Sequence, residues 1–130
     1  MTSRLALVVD DDDDIRMITS LTLRRVAGWE VLTASDGQEA IDIARERRPD
    51  VILMDLMMPG MDGIEASKLL LADPRTADVP IVLLTAKASI GGAQPPWDGL
   101  GVAGVISKPF NPRSLAEEVS GMVGWDAQGG

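Results

Sequence analysis

The chain has no cysteine and no histidine among its 130 residues. The first absence excludes disulfides and thiolate metal sites and is compatible with a reducing compartment. The second removes the commonest general base and the commonest zinc ligand, and this chain therefore carries no phosphohistidine of its own. A basic face is also missing. Twelve Lys and Arg stand against 20 Asp and Glu, giving a formal net charge of -8 and a pI near 4.4, which argues against nucleic acid as a direct partner. No apolar run approaches the roughly 18 residues of a membrane span, and Met1-Thr2-Ser3-Arg4 leads into a short apolar run without a signal-peptide pattern. The expectation is a cytoplasmic protein with no membrane partner. A hydrophobic content of 45% suits one domain over residues 1–130 with a single core.

What the chain has in excess is acid in one place. Asp10-Asp11-Asp12-Asp13-Asp14 follow directly on Leu5-Ala6-Leu7-Val8-Val9. Five adjacent like charges repel one another, and a hard cation such as Mg²⁺, which takes oxygen ligands, would give a fold a reason to gather them. An isolated charge run more often merely solvates a helix start. The rest of the chain decides between these readings.

Leu5 to Val9 has the length and continuity of a strand buried on both faces. From about Asp13, Ile15, Ile18, Leu21 or Thr22, and Val26 recur at helical spacing, with Arg24 and Arg25 near the end and Gly28 as stop. Glu30 to Ala34 is a second short strand, closed by Asp36-Gly37. A helix with the apolar face Ala40, Ile41 and Ala44 then runs to Pro49. Val51-Ile52-Leu53-Met54 is another buried-strand run ending in Asp55, and a turn-rich loop leads into helix from Ile64 to Leu71. Ile81 to Leu84 ends at Thr85. Residues 88 to 103, rich in Gly and Pro, predict at most a short or irregular fourth helix anchored by Trp97. Gly104 to Ser107 is a final strand. Asn111 is expected to cap the last helix with Pro112 at its first position, and Leu115, Val119, Met122 and Val123 form its stripe up to Gly124. Five alternations of strand and helix predict an α/β fold: an open, doubly wound parallel sheet with helices on both faces.

In such sheets ligands bind beyond the carboxyl ends of the strands. Asp10 and Asp11, Asp55, Thr85 and Lys108 all stand at those ends. Acids can hold Mg²⁺ there, Thr85 and Lys108 can meet phosphoryl oxygens, and Asp55 is left as nucleophile for an acyl phosphate. Attack by a carboxylate on a phosphoryl dianion needs cations on both partners, which the metal and Lys108 supply. Asp13 and Asp14 are expected to cap and charge the first helix, and Asp12 to border the site. Gly60 and Gly63 read as turn and helix-start glycines, not as a phosphate cradle.

These residues carry a family resemblance. Val8-Val9-Asp10-Asp11, the run from Val51 to Gly63 with Asp55-Leu56-Met57-Met58-Pro59-Gly60 at its centre, Leu84-Thr85-Ala86 and Lys108-Pro109-Phe110 together resemble a response-regulator receiver domain, from about Arg4 to Trp125. The resemblance implies a flavodoxin-like five-stranded sheet of order 2-1-3-4-5 and a phosphoacceptor, not an enzyme in the usual sense. It implies that Asp55 is phosphorylated and that Asp10, Asp11, Asp55 and the carbonyl of Met57 bind Mg²⁺. Thr85 and Lys108 would bind the phosphoryl group, with a cis Lys108–Pro109 bond. The implied partners are a sensor histidine kinase or a histidine phosphotransfer protein, and an unknown downstream protein.

One position departs from the pattern. Receiver domains usually carry an aromatic residue or histidine three places before the lysine, and here that residue is Val105. Valine has no long rotor and no hydroxyl. The expectation is therefore that reordering of residues 86 to 104, reported by Trp97, carries the signal. Only Trp125 to Gly130 follow the last helix, so output by protein contact is expected, with a phosphorelay shuttle or sink as the alternative. Two other readings stay open. An aspartyl phosphatase would want a second aspartate where Met57 stands, and a phosphorylation-independent interaction module would not need the full acidic set.

Overall fold

The structure, a computed structural model, describes residues 4–86, 97–108 and 110–125. Five strands, β1 (Leu5–Val9), β2 (Glu30–Ala34), β3 (Val51–Asp55), β4 (Ile81–Thr85) and β5 (Gly104–Ser107), form one parallel sheet in the order β2-β1-β3-β4-β5. The four helices among the described residues are α1 (Asp13–Thr22), α2 (Gly37–Arg47), α3 (Gly63–Ala72) and α4 (Leu115–Val123). Every residue of β3 and β4 is buried, as expected of strands covered on both faces. Ala6, Val8, Leu53, Val82 and Leu84 point into one half of the core with Leu115 and Val119 of α4. Leu7, Val9, Ile52, Met54 and Leu83 point into the other, against Ala40, Ala44, Ala66 and Leu70 of α2 and α3. Period-two alternation along each strand thus fills two cores, one on each face.

Three local expectations are corrected. The stripe Ile18, Leu21 and Val26 faces solvent, and α1 turns Thr19 and Ser20 inward instead, ahead of Leu23. Small hydroxyl residues let the helix approach the sheet closely, and each bonds back one turn, Thr19 to the Ile15 carbonyl at 2.7 Å and Ser20 to that of Arg16 at 2.8 Å. From Leu23 to Ala27 the helix widens into a π turn, closed by Gly28 at φ 72°, a left-handed position that suits glycine. The N-cap of α1 is Asp12, whose extended backbone lets its carboxylate accept the Asp14 and Ile15 N–H groups; Asp13 and Asp14 add charge in the first turn. At the other end of the chain, Asn111 does not cap α4. Its side chain accepts the Arg113 N–H at 2.9 Å and its carbonyl the Ser114 N–H, building a turn that delays the helix to Leu115.

The irregular segment expected between β4 and β5 lies mostly outside the described residues. Within it, Trp97–Gly99 is a turn, and Trp97 and Val102, like Leu71 and Val105, pack half-buried against the core on the α2–α3 face. The Lys108–Pro109 bond also lies outside them.

Candidate functional site

Sheet order decides which chain ends become neighbours. Because Val9 pairs with Met54, the next residues on β1 and β3, Asp10 and Asp55, leave the sheet side by side. Thr85 closes β4 beside β3 and pairs with Ser107, so Lys108 emerges one residue further on. The connections after β1 and β3 diverge at this point, and a parallel sheet opens a crevice there.

All five sequence-predicted side-chain positions lie at this edge. Asp10, Asp55 and Thr85 are buried, with Asp10 only 1% and Asp55 5% exposed. Asp11 is exposed, yet one carboxylate oxygen each from Asp10, Asp11 and Asp55 falls within 4.8 Å of the others. Lys108 Nζ bridges two of them, donating to Asp10 Oδ2 at 2.9 Å and to Asp55 Oδ1 at 3.0 Å. Its own N–H donates to the Thr85 carbonyl at 2.8 Å, which fixes the lysine backbone to β4. Met57 lies two residues beyond β3 and is 74% exposed.

The crowding shows in the protonation of the site. Burial pushes the Asp55 carboxyl above its ordinary value, and the neighbouring Asp10 charge adds to this; the Lys108 ammonium and the Met57 N–H only partly offset it. Burial alone would lower Lys108. Its hydrogen bonds to Asp10 and Asp55, with their charges, outweigh that and hold the ammonium above the usual lysine value. Lys108 is therefore a permanent cation at neutral pH, while Asp55 is a carboxylate short of positive charge.

The donor chemistry fits a hard divalent cation. Three clustered carboxylate oxygens are an oxygen-only ligand set, and the chain offers neither thiolate nor imidazole to favour a softer ion. A magnesium ion held there would supply charge neutralisation and a fixed point for a phosphoryl oxygen.

Gly63 holds the far wall. A Cβ there would collide with the Asp55 carbonyl oxygen and come within 2.9 Å of Leu56 Cα, so only glycine lets α3 start against the backbone of Asp55. Its N–H donates to the Leu56 carbonyl at 3.0 Å, closing the loop. Sequence reasoning missed Arg16, whose guanidinium reaches back to the Asp10 carbonyl. Nothing in a helical pattern of apolar residues singles it out.

Comparison with known proteins agrees with this geometry. The model of the response regulator receiver domain matches residues 6–120, and the chain belongs to that family, the phosphoacceptor module of two-component systems. It is 38% identical over 125 residues to the phosphate regulon transcriptional regulatory protein PhoB of Pseudomonas aeruginosa, covering 95% of this chain and 53% of that protein. It is 40% identical over 113 residues to the DNA-binding response regulator MtrA of Mycobacterium tuberculosis, covering 87% and 47%. The chain thus spans about half the length of these regulators. Among solved structures, the chemotaxis response regulator CheY4 of Vibrio cholerae superposes with a TM-score of 0.84 at 38% identity, over 93% of this chain and 99% of that one. The receiver domain of the sensor histidine kinase PA1611 from Pseudomonas aeruginosa, solved with a magnesium ion coordinated in the active site cleft, gives 0.83 at 29% identity, over 95% and 99%. Among the described residues no helix is long and apolar enough to cross a membrane.

Proposed function

We propose that Asp55 accepts a phosphoryl group from a phosphohistidine on a sensor kinase or a histidine phosphotransfer protein. The Asp10, Asp11 and Asp55 carboxylates and the Met57 carbonyl would hold Mg²⁺, which would supply charge neutralisation there, and the phosphorylated state would be read in the cytoplasm by a protein partner. The observation that carries this reading is the three-carboxylate cluster bridged by Lys108 at 2.9 and 3.0 Å.

A carboxylate oxygen of Asp55 attacks phosphorus in line with the departing imidazole. The new O–P bond forms as the N–P bond breaks, and the electron pair stays on the imidazole nitrogen, which takes a proton. No general base is needed, because the nucleophile is already an anion. Lys108 starts between Asp10 and Asp55 and follows the charge as it moves onto the phosphoryl oxygens. Thr85 contributes its hydroxyl to one of those oxygens from the end of β4. The chain's contribution is position and charge compensation, which is most of what loose phosphoryl transfer asks of a protein.

The test is intact mass after incubation with Mg²⁺ and a small acyl-phosphate donor. The expected result is one phosphoryl adduct, lost when EDTA replaces Mg²⁺ and lost in Asp55→Asn. Labelling that persists in Asp55→Asn would put the acceptor elsewhere, and multiple turnover on phosphomonoesters would favour a phosphatase.

A further inference from the structure

Arg16 is the cation nearest the acidic run that the phosphoryl chemistry leaves unused. It lies one turn into α1, with its side chain largely covered, and it makes two contacts at once. Nη1 donates to the main-chain carbonyl of Asp10 at 2.7 Å, and Nη2 pairs with the Asp13 carboxylate. The Asp10 backbone is thereby held on both sides, since its N–H donates to the Ala34 carbonyl of β2 at 3.1 Å.

A peptide unit is planar, so fixing the Asp10 carbonyl also fixes the Asp11 N–H and the direction in which the chain leaves β1. The two acids of the pair differ in how they are restrained. Asp10 has both carboxylate oxygens engaged, Oδ1 by the Asp12 N–H at 2.9 Å and Oδ2 by Lys108. Asp11 is exposed, and among the described residues nothing hydrogen-bonds its carboxylate. Its place within 4.8 Å of Asp10 and Asp55 rests on its backbone.

We propose that Arg16 is a positioning residue that sets the plane of the Asp10–Asp11 peptide and so holds the Asp11 carboxylate where a divalent cation joins it to Asp10 and Asp55. The proposal rests on the metal-assisted reading above. The planar fork of the guanidinium suits the task because it reaches a carbonyl and a carboxylate together, which a lysine ammonium does less rigidly. Asp13 acquires a role in turn, anchoring the second arm of the fork.

Charge and position predict opposite signs, which makes the idea testable. If Arg16 mattered only as a nearby positive charge, its removal would tighten Mg²⁺ binding and Arg16→Lys would change nothing. If it positions Asp11, Arg16→Met weakens Mg²⁺ binding by about tenfold or more, the usual size of a lost outer contact to a metal ligand, and Arg16→Lys weakens it several-fold.

The experiment is calorimetric titration of the full chain with Mg²⁺, comparing wild type, Asp11→Asn, Arg16→Met, Arg16→Lys and the double variant Arg16→Met with Asp11→Asn. A residue acting through Asp11 gives a double variant that binds no more weakly than Asp11→Asn alone. Unchanged or tighter binding in Arg16→Met, or losses that simply add, overturns the proposal. If Arg16→Met does not fold, Arg16→Lys decides: weaker binding supports positioning, and wild-type affinity overturns it. Should wild type bind no Mg²⁺, or Asp11→Asn bind it as tightly as wild type, the metal reading fails first and takes this proposal with it.

Discussion

At the amino ends of the strands, Arg4 stacks over the Trp125 ring at 4.2 Å, Trp125 meets Trp29 edge to face at 5.5 Å, and Asp50 accepts the Leu5 N–H at 2.8 Å. At the carboxyl ends, three carboxylates crowd around one ammonium. The first arrangement ties the entry to β1, the start of β2 and the end of α4 into one cluster, with charge placed against an aromatic face or a backbone donor. The second leaves negative charge in excess where it is hardest to hydrate. A fold can close its amino edge for stability alone, whereas the carboxyl edge has unbalanced negative charge that a further cation would offset.

Breaking the ion pairs at the carboxyl edge should have the largest effect. Lys108→Met leaves the buried Asp10 and Asp55 without their shared ammonium, and removing one partner of a buried pair costs about 3 kcal/mol. Urea unfolding should show that loss without Mg²⁺ and a partial recovery with it, and acyl-phosphate labelling should fall sharply under both conditions. At the amino edge, Trp125→Ala removes the edge-to-face pair and the cation–π contact, for about 2 kcal/mol in the same measurement. Labelling of Asp55 should be unchanged. Equal damage to labelling from the two variants would erase the contrast between the ends.

The smallest effect sharpens the contrast at an ordinary ion pair. Asp73 follows α3 and is held by Arg75 and, from α2, Arg45 Nε at 2.7 Å. The Arg75 side chain, with its backbone N–H and then Arg45, holds this carboxyl far below the usual carboxylate range. A depressed acid contributes stability above its unfolded value of 3.8 and loses it as the pH falls toward the folded value. Asp73→Asn should therefore lower Tm by about 1–2 °C at neutral pH, the scale of an exposed pair. The gap should narrow in melts below pH 4.

The contrast also explains what could be read from the sequence. The strands were legible because continuous apolar runs such as Val51 to Met54 have few other uses, and the site followed because four of the five strands end in or just before a residue that bears chemistry. Asp10, Asp55, Thr85 and Lys108 converge once the strands are ordered, and the order 2-1-3-4-5 was available only through the family resemblance. Side-chain direction on α1 was not legible. Ile18 and Leu21 have helical spacing whether they face in or out, and buried Thr19 and Ser20 satisfy themselves through backbone bonds that composition does not reveal. Asn111-Pro112 resembles a helix start because the same side-chain bond that caps a helix also makes a turn. Arg16 was invisible for a related reason: its partner is a main-chain carbonyl, which every residue has.

The central claim is that Asp55 carries its charge at a cost that a bound divalent cation relieves. A carboxyl whose folded value is raised favours the native state when protonated, and that contribution is lost as the pH rises through the raised value, so ionised Asp55 destabilises the protein at neutral pH. Thermal melts of wild type and Asp55→Asn at neutral pH, in EDTA and in saturating Mg²⁺, test this most directly. The account predicts that Asp55→Asn melts higher in EDTA and that Mg²⁺ raises wild type more, closing or inverting the gap. A wild type that melts higher in EDTA, or a gap that Mg²⁺ leaves unchanged, would contradict it.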